Sequence, residues 1–480
     1  MKSLPSRLLG VTVAFVAAAA CSSSPSPPGT TGGASASATS SSATSGSTSS
    51  AGGAGTSAAV TASVTGAGGG GGGATASGTG GTGGLGGGAS SSSTGSSSVS
   101  SSGSGGSAAD LDADGDGWTP NEGDCCDTLG QCNAPQLINP GAFEFPGNGV
   151  DDDCDPLTID NGAALDCAPP ALMAPTSADD LVKAMDLCQL TTEVPPKPLR
   201  KWGVLASSLH LADGTSTPKD IQTGVLAGFG ANVVPQGGPT MAAISTGSAR
   251  SQNNSGFVTP QAPSSYNAST EATQPAQFLA AHGGVDPTPP TCAPCVGIGC
   301  GKAFDSVDLK VRIRVPTNAS SFSYRTRFFT AEYPERLCST HNDFFVVLLK
   351  TGWKPDPNQM PPSLPLPIDT NILLDSQGNP VSVDNAFFPV CFPTPGAPPG
   401  SCPGGTLDLV GSGYGGPGNS VSDGAATDWL VSDAPVVPGE TIELELVVWD
   451  AIDHQGDSLA LIDKFRWTLP DDCGGPCGHP

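Results

Sequence analysis

A dense group of carboxylates near the end of the first third of the chain is the feature most capable of chemistry. Between Asp110 and Asp155 there are twelve acidic residues and no lysine or arginine. The group opens with aspartates at every second position, and its glycines permit the tight turns that wrap oxygens around a cation. The candidate ligands are Asp110, Asp112, Asp114, Asp116, Asp124, Asp127, Asp151, Asp152, Asp153 and Asp155. Since like charges repel, the segment predicts a site for a hard divalent cation, with calcium favoured, or else a solvated acidic spacer.

The spacing of these aspartates departs from that of an EF-hand. A loop beginning at Asp110 has Asn121 at its twelfth position, where an EF-hand needs a bidentate glutamate, and Glu122 follows one place late. Pro120 also interrupts the helix that should follow. A thrombospondin-type or dockerin-like calcium loop is therefore the nearer comparison.

Three short segments follow in a specific order: 123–127 (GDCCD), 138–142 (INPGA) and 147–155 (GNGVDDDCD). Together they resemble the metal-binding repeat of the MopE type, which reads G-D-C-D-D, N-P-G-A-x-E and C-N-G-x-D-D-D-C-D. Cys126 stands where the family has an aspartate, and Pro146-Gly147 replaces a cysteine. The resemblance implies a metal-binding module over 110–156. Its family label suggests copper, but hard aspartate oxygens favour calcium, which leaves copper as the less favoured ion.

The beginning of the chain has the pattern of an export signal. Lys2 and Arg7 precede an apolar stretch over 8–20, and small residues lead to Cys21. This pattern resembles a bacterial lipoprotein lipobox, which implies a signal peptide over 1–20 and lipidation of Cys21. The apolar stretch is too short to cross a bilayer. The resemblance implies a lipid anchor in the outer membrane or at the cell surface of a Gram-negative bacterium, and Ser22 favours the outer membrane.

The segment over 21–109 predicts a disordered linker. Residues 22–109 contain no charged or aromatic residue and consist mainly of Ser, Gly, Ala and Thr. Such a composition cannot bury a core, and it is typical of a flexible tether or of a glycosylated stalk.

Charge and cysteine content limit the classes of partner and the compartment. A formal net charge of −25 argues against nucleic acid as a partner. Fifteen cysteines, less Cys21, leave an even number that fits disulfides in an oxidising compartment. Zinc at Cys292, Cys295 and Cys300, or at Cys473 and Cys477, is the less favoured alternative.

The remainder of the chain predicts a mainly β fold, an antiparallel β-sandwich stapled by disulfides. A connecting segment over 157–196 contains one short helix over 177–189, capped by Ser177 or Thr176. Apolar residues alternate with polar ones over 309–315 and 441–448, as in half-solvated strands, whereas 344–349 is apolar throughout and predicts a central strand. Pro/Gly-rich insertions over 351–371 and 392–423 predict surface loops.

Six segments over 197–480 carry a second resemblance. They are 201–204 (KWGV), 224–230 (GVLAGFG), 244–250 (ISTGSAR), 331–335 (AEYPE), 342–345 (NDFF) and 450–458 (DAIDHQGDS). Together they resemble the choice-of-anchor L domain, a family of secreted bacterial surface domains. The resemblance implies display at the surface as an adhesive or structural module, and it implies no reaction.

Two further acidic groups lie within this domain. One comprises Glu332, Glu335 and Asp343, and the other Asp450, Asp453, Asp457 and Asp463. Either group could chelate calcium between strand ends, or it could cap turns through hydrogen bonds to the backbone. The better candidate ligands are Asp450, Asp453 and Asp457, because they lie within one short loop.

Catalytic motifs are scarce. The five histidines occur in no H-E-x-x-H pattern, and no G-x-S-x-G is present. The sequence therefore predicts a non-enzymatic surface lipoprotein that binds divalent cations and an unknown surface or matrix ligand. A secreted hydrolase that uses paired carboxylates, or His454 as a base, is the alternative from another class.

Overall fold

The computed structural model describes residues 108–158, 167, 169–172, 176–358, 365–375, 378–393, 400–415 and 424–469. The predicted signal peptide, Cys21, the linker up to residue 107, Cys473 and Cys477 lie outside these residues. Within the described part, no helix combines the length and apolarity needed to cross a membrane.

Twelve strands and two short helices form the regular structure of the described residues. The strands are β1 (Gly203–His210), β2 (Thr223–Leu226), β3 (Met241–Ser245), β4 (Glu271–Thr273), β5 (Lys302–Arg314), β6 (Ser321–Thr330), β7 (Phe344–Lys350), β8 (Val390–Cys391), β9 (Ala425–Ala426), β10 (Leu430–Pro435), β11 (Thr441–Asp450) and β12 (Ser458–Thr468). The helices are α1 (Ala178–Ala184) and α2 (Ala276–Ala281). The acidic segment has 3-10 turns at Ala108–Asp110, Pro120–Glu122 and Pro135–Leu137 and is otherwise irregular.

The strands pair into two antiparallel sheets. The first has the order β1-β5-β11-β7. β1 pairs with residues 308–314 of β5, and β4 pairs with residues 302–304 of the same strand. The second has the order β2-β3-β12-β6-β9-β8, and β10 also pairs with β6. The prediction of a mainly β, antiparallel fold with paired cysteines is therefore confirmed.

One apolar core joins the two sheets. Alternate side chains of β5 and β11, such as Val311 and Leu444, share this core with Phe322 of β6 and Ile462 of β12. The intervening side chains of β5 and β11 face outward, where Lys310 pairs with Glu445 at 2.6 Å. The prediction that these two strands are half-solvated is thus confirmed over 309–313 of β5 and 441–445 of β11. Almost all other residues of both strands are buried.

The outer faces of both sheets are also covered. On the first sheet, Phe278 of α2 packs against Phe344 and Trp449 at ring-centroid distances of 5.9 and 5.6 Å. On the second sheet, Leu409 and Tyr414 join a further apolar cluster. Part of the insertion over 392–423 is therefore buried, and the prediction that it forms a surface loop is wrong for these residues.

The prediction that 344–349 is a central strand is also wrong. β7 pairs with β11 on one side, and on the other side it makes isolated bridges from Phe344 to Ser382 and from Leu348 to Asn371. It is apolar on both faces because its alternate residues enter the central core and the cluster under α2. Cover on both faces, rather than a central position, accounts for the sequence pattern.

Helix α1 begins as the sequence predicts and is shorter than expected. Ser177 accepts a hydrogen bond from the Asp180 amide, and the Asp180 side chain accepts one from the Ser177 amide, which completes a capping box. The helix ends at Ala184, and Cys188 beyond it forms a disulfide with Cys167. Its buried side chains, including Leu181, enter the central core.

Six disulfides connect the described cysteines. The pairs are Cys125–Cys154, Cys126–Cys132, Cys167–Cys188, Cys292–Cys338, Cys295–Cys300 and Cys391–Cys402. Of the five cysteines considered for zinc, the three described ones, Cys292, Cys295 and Cys300, are paired in this way, so their sulfurs are not available as thiolate ligands. Cys126, which departs from the MopE-type pattern, forms a local disulfide with Cys132.

The acidic segment packs directly on the sheets. Phe143 contacts Trp202 with ring centroids 5.2 Å apart. Asn318, just before β6, accepts a hydrogen bond from the Phe143 amide at 2.8 Å and donates one to its carbonyl at 2.9 Å. Lys197 and Lys201 form ion pairs with Glu122 and Asp155, each at 2.6 Å. These contacts fix the acidic loops against the ends of strands.

Phe322→Ala is expected to lower the free energy of unfolding by about 3–5 kcal/mol, because Phe322 is fully buried between Phe465 and Trp467 and truncation leaves a cavity. Urea denaturation of the full chain in calcium measures the loss. Val431→Ala on β10, where Val431 is 56% exposed, is the matched control and should cost less than about 1 kcal/mol. Equal losses in the two variants would contradict the assignment of the core.

Candidate cation-binding sites

The loop over 112–118 is built from successive aspartate turns. The carboxylate of Asp112 accepts hydrogen bonds from the amides of Gly115 and Gly117 at 2.7 and 3.0 Å. Both glycines have positive φ, which L-residues rarely adopt, so the sequence requires glycine at these positions. Asp114 Oδ1 accepts from the Asp116 amide at 3.1 Å. Asp112 thus uses both carboxylate oxygens to set the loop, and Asp114 uses one.

Two overlapping groups of three aspartates result. Asp112, Asp114 and Asp127 each offer an oxygen within 4.8 Å of the others, as do Asp114, Asp116 and Asp124. Asp114 belongs to both groups. Its Oδ2 and the Oδ2 of Asp124 are buried and have no hydrogen-bond partner among the described residues. These free oxygens, together with oxygens fixed by turns, suit a hard cation.

Neighbouring residues hold these aspartates in place. Asn139 donates from Nδ2 to Asp116 Oδ2 at 2.8 Å, and its Oδ1 accepts from the Thr317 hydroxyl of the sheet domain at 2.6 Å. Asp127 Oδ1 accepts from the Ala113 amide at 2.6 Å. The Cys125–Cys154 disulfide joins this loop to the next acidic run.

A third group of carboxylates lies over 144–153. Glu144, Asp151 and Asp153 each offer an oxygen within 4.8 Å of the others. Glu144 Oε2 accepts from the Asp152 amide at 2.7 Å, whereas Glu144 Oε1 is buried and has no described hydrogen-bond partner. The middle segment of the MopE-type pattern, N-P-G-A-x-E, ends with a glutamate at the position of Glu144. The pattern therefore indicated this residue, whereas a search for runs of aspartates did not.

Three of the predicted aspartate ligands lie outside these groups. Asp110 accepts a hydrogen bond from Asn121. Asp152 Oδ2 accepts from the Phe145 amide and from Asn148 at 3.1 and 2.7 Å. Asp155 pairs with Lys201 at 2.6 Å, and this contact lowers its pKa. Asp110 and Asp152 therefore form contacts within the acidic segment, and Asp155 joins that segment to Lys201 just before β1.

Burial and mutual repulsion disfavour the charged forms of the grouped carboxylates. Desolvation, with a contribution from Asp152, raises the pKa of Glu144 to about 7. Desolvation, with Asp114 and Asp124 nearby, raises that of Asp116 to about 6. Desolvation is also the main cause that raises the pKa of Asp114 and of Asp124, and the charges of neighbouring aspartates add to it. A bound divalent cation would remove this repulsion at neutral pH.

Four members of the two acidic groups predicted in the sheet domain lie together. Glu332 follows β6, Asp343 precedes β7, Asp450 ends β11 and Asp457 precedes β12. The last three are 0% exposed and Glu332 is 3% exposed. The side chain of Asp343 is hydrogen-bonded to those of Glu332 and Asp450. Burial, followed by repulsion from Asp343, raises the pKa of Asp457. These four residues are called the interior acid cluster below.

Other members of the predicted groups lie elsewhere. Asp453 pairs with His341 at 3.1 Å at the edge of the cluster, which lowers its pKa despite partial burial. Asp463 accepts hydrogen bonds from the amides of Gly237 and Lys464 at 3.2 and 2.6 Å, on β12. Asp463 is therefore held by backbone donors and is separate from the cluster.

His454 is oriented by a buried carboxylate. Its Nδ1 lies 2.9 Å from Oδ1 of Asp305, which is fully buried. Asp305 is itself fixed by the amides of Ala268 and Thr270, each at 3.0 Å. In the described part of the chain, no serine or cysteine hydrogen-bonds to this imidazole, so the pair lacks a placed nucleophile.

Comparison with known proteins yields no relative: no family model, curated protein or solved structure matches the chain.

The buried carboxylate of Asp463 should make stability fall as pH rises. Desolvation raises its pKa from 3.8 to about 6, so the folded state holds this proton more tightly than the unfolded chain. The contribution is fully present below pH 4 and is lost as pH rises through 6, by up to about 3 kcal/mol. Asp463→Asn is expected to flatten the decline between pH 4 and 7 in denaturation curves at constant calcium.

Asp433→Asn is the control, because Asp433 lies at an exposed position of β10. An Asp463→Asn profile that runs parallel to that of Asp433→Asn would refute this role for Asp463.

Proposed function

We propose that this chain is a non-enzymatic, lipid-anchored surface protein that binds calcium through its acidic loops and presents a β-sandwich for adhesion or surface assembly. The observation that carries the proposal is the pair of aspartate groups that share Asp114. Their inward oxygens on Asp114 and Asp124 are buried and have no described hydrogen-bond partner. A calcium ion supplies the positive charge that the described side chains around these oxygens lack.

The ligand chemistry favours calcium over copper. The three groups contain carboxylate oxygens alone, and calcium takes six to eight hard oxygen ligands. Cu(I) prefers thiolates or thioethers, whereas the nearby cysteines Cys125, Cys126, Cys132 and Cys154 are in disulfides. Copper therefore remains the less favoured ion.

Calcium at these loops would also stabilise the adjoining sheets. Asp116 is linked to Thr317 through Asn139, and Phe143 in the same segment packs on Trp202. Ordering the loops therefore fixes a surface that includes Lys197 and Arg200 around a cavity of about 230 Å³. The ligand that the module would meet at the cell surface is a macromolecule of the surface or matrix.

The surface location rests on the sequence of the first 109 residues. The lipobox-like run to Cys21 supports lipidation, and the Ser/Gly-rich linker supplies reach from the membrane. Six disulfides among the described residues agree with an exported protein.

Asp114→Asn combined with Asp124→Asn is expected to weaken calcium binding by at least tenfold, because it removes charge from both overlapping groups while preserving the side-chain volume. Calorimetric titration of the calcium-free full chain measures the change. The same double variant should lose most of the rise in thermal midpoint that calcium confers on the wild type.

Asp213→Asn is the matched control, since Asp213 forms a similar turn with Thr215 at an exposed position far along the chain. Wild-type affinity in the double variant, or no heat of binding in the wild type, would contradict the loops as calcium sites.

Cys21→Ser is expected to abolish lipidation and to release the protein from the membrane fraction, because serine lacks the thiol that accepts the lipid. Metabolic labelling with a radioactive fatty acid and fractionation of the native host measure both effects. Ser22→Ala is the control and should keep the label; a labelled Cys21→Ser protein would refute the anchor.

A further inference from the structure

A small cavity lies where the acidic loops meet the sheet domain. Its volume is about 230 Å³. The acidic segment contributes Asp116 and Trp118 to its wall, and the sheet domain contributes Lys197, Arg200 and Arg314. Among the described residues that line the cavity, three are thus cationic and one is acidic, although the chain as a whole has a net charge of −25. The cavity is a locally positive place on a strongly acidic protein.

Arg314 is nearly buried at the wall of this cavity. It is the last residue of β5, where it pairs with both β1 and β11, and it is 8% exposed. Its guanidinium donates to the Thr191 hydroxyl and to three backbone carbonyls at 2.8–3.3 Å. The carboxylate of the neighbouring Glu193 pairs with Arg312 at 3.1 Å, and Arg314 forms no ion pair in the described part of the chain. Carbonyl groups therefore fix this guanidinium without a full negative charge beside it.

Lys197 and Arg200 border the cavity from the turn that precedes β1. The Arg200 amide donates to the Lys197 carbonyl at 2.9 Å, which closes this 3-10 turn. Lys197 Nζ lies 5.5 Å from the centroid of the Trp118 ring and pairs with Glu122 at 2.6 Å. Arg200 is exposed, and its side chain forms no ion pair or hydrogen bond among the described residues. Its guanidinium is therefore available to a ligand.

The two arginines act on each other as well as bordering the same cavity. Desolvation, followed by repulsion from Arg200, lowers the pKa of Arg314, while Glu193 acts in the opposite sense. An anion in the cavity would replace this repulsion by attraction. Guanidinium groups present planar donors that suit carboxylate and phosphate oxygens. The position of the cations thus predicts an anionic ligand.

Asp116 connects the cavity with the acidic loops. Its Oδ1 accepts from the Trp118 amide at 2.7 Å, and its Oδ2 accepts from Asn139 at 2.8 Å. Asp116 also shares a group of carboxylates with Asp114 and Asp124. Calcium bound to that group would balance the one negative charge at the cavity wall, so an anion should bind better when calcium is present.

The size and the polar groups of the cavity narrow the class of anion. Pockets for drug-sized molecules have volumes of about 300–1,000 Å³, so 230 Å³ accommodates one residue of a longer ligand. The arginines suit a carboxylate, whereas the oxygens of Asp116 and Thr317 accept hydrogen bonds from hydroxyl groups. A sugar acid has both kinds of group, and an acidic amino-acid side chain has the carboxylate alone. A densely charged polyanion is disfavoured by the net charge of the chain.

We propose that this cavity binds one sugar-acid residue of an acidic polysaccharide, with its carboxylate held by Arg200 and Arg314. The inference deepens the proposed function by naming the class of surface ligand, and its dependence on calcium rests on that function. Arg314 is held in place by the backbone, whereas the exposed Arg200 is free to close on the ligand.

Arg200→Gln is expected to weaken binding of tetragalacturonate to the full chain by about tenfold, because a charged hydrogen bond to the carboxylate is lost. Calorimetric titration at one fixed calcium concentration measures the affinity, so calcium bound by the saccharide itself is the same for every variant. Arg312→Gln is the matched control. It removes the same charge from β5 but does not line the cavity, and it should bind as the wild type does.

Two further probes test the chemistry of the ligand. Fully methyl-esterified tetragalacturonate keeps the sugar rings and lacks the charge, so it should not bind. Tetraglutamate has the carboxylates without the hydroxyl groups and should bind at least about tenfold more weakly than the saccharide. Equal affinity for the ester, or unchanged affinity in Arg200→Gln, would overturn the proposal. Equal or tighter binding of tetraglutamate would overturn it in favour of an acidic peptide.

A calcium titration without saccharide separates this proposal from the proposed function. A wild type that binds calcium but not tetragalacturonate overturns the sugar-acid site and leaves the calcium loops intact. A wild type that shows no calcium binding but binds the saccharide through Arg200 contradicts the loops and supports the cavity. Equal saccharide affinity in calcium and in EDTA would overturn the dependence on calcium.

Discussion

Buried negative charge is the constraint on which this structure depends. A carboxylate that leaves water without a partner costs several kcal/mol, on the order of a large part of the 5–15 kcal/mol that stabilises a whole domain. Among the described residues, such groups are crowded around Asp114 and around Asp450. Both lie at strand ends or in loops. In the loops the proposed calcium would balance this charge, whereas around Asp450 the raised pKa lets protons balance part of it.

The two acidic regions meet this constraint differently. In the loops, most carboxylates use one oxygen in an aspartate turn, as Asp116 does with the Trp118 amide at 2.7 Å. The loop shape is therefore set by hydrogen bonds within the chain, and most of these carboxylates are partly exposed to solvent. In the interior, Asp450 is fully buried next to Asp343 and Asp457, and burial followed by their charges raises its pKa well above the ordinary value.

Local pattern predicts more of this fold than of its sites. Alternation in β5 and β11 and the cap at Ser177 are short-range signals, and both led to correct elements. The predicted central position of β7 was wrong, because a strand whose two faces are both covered has the same apolar composition at the edge of a sheet as at its centre. The carboxylates that group in the acidic loops are close in sequence, so the sequence predicted most of these groups, although Glu144 was missed. The union of Glu332, Asp343 and Asp450 depends on strand order, which no local pattern encodes.

Packing around Asp457 explains why one of the sequence segments must have its composition. A Cβ added at Gly247 would overlap the carboxylate of Asp457, so residue 247 must be glycine for this carboxylate to reach the cluster. The flanking residues also act there: the Thr246 hydroxyl accepts from the Ser458 amide at 2.9 Å, and Ser245 donates to the Ser458 carbonyl at 2.9 Å. The segments 244–250, 331–335, 342–345 and 450–458, four of the six that carry the resemblance to the choice-of-anchor L domain, thus meet at the interior acid cluster. Each of these four segments supplies a carboxyl group of the cluster, or the space and hydroxyls beside one.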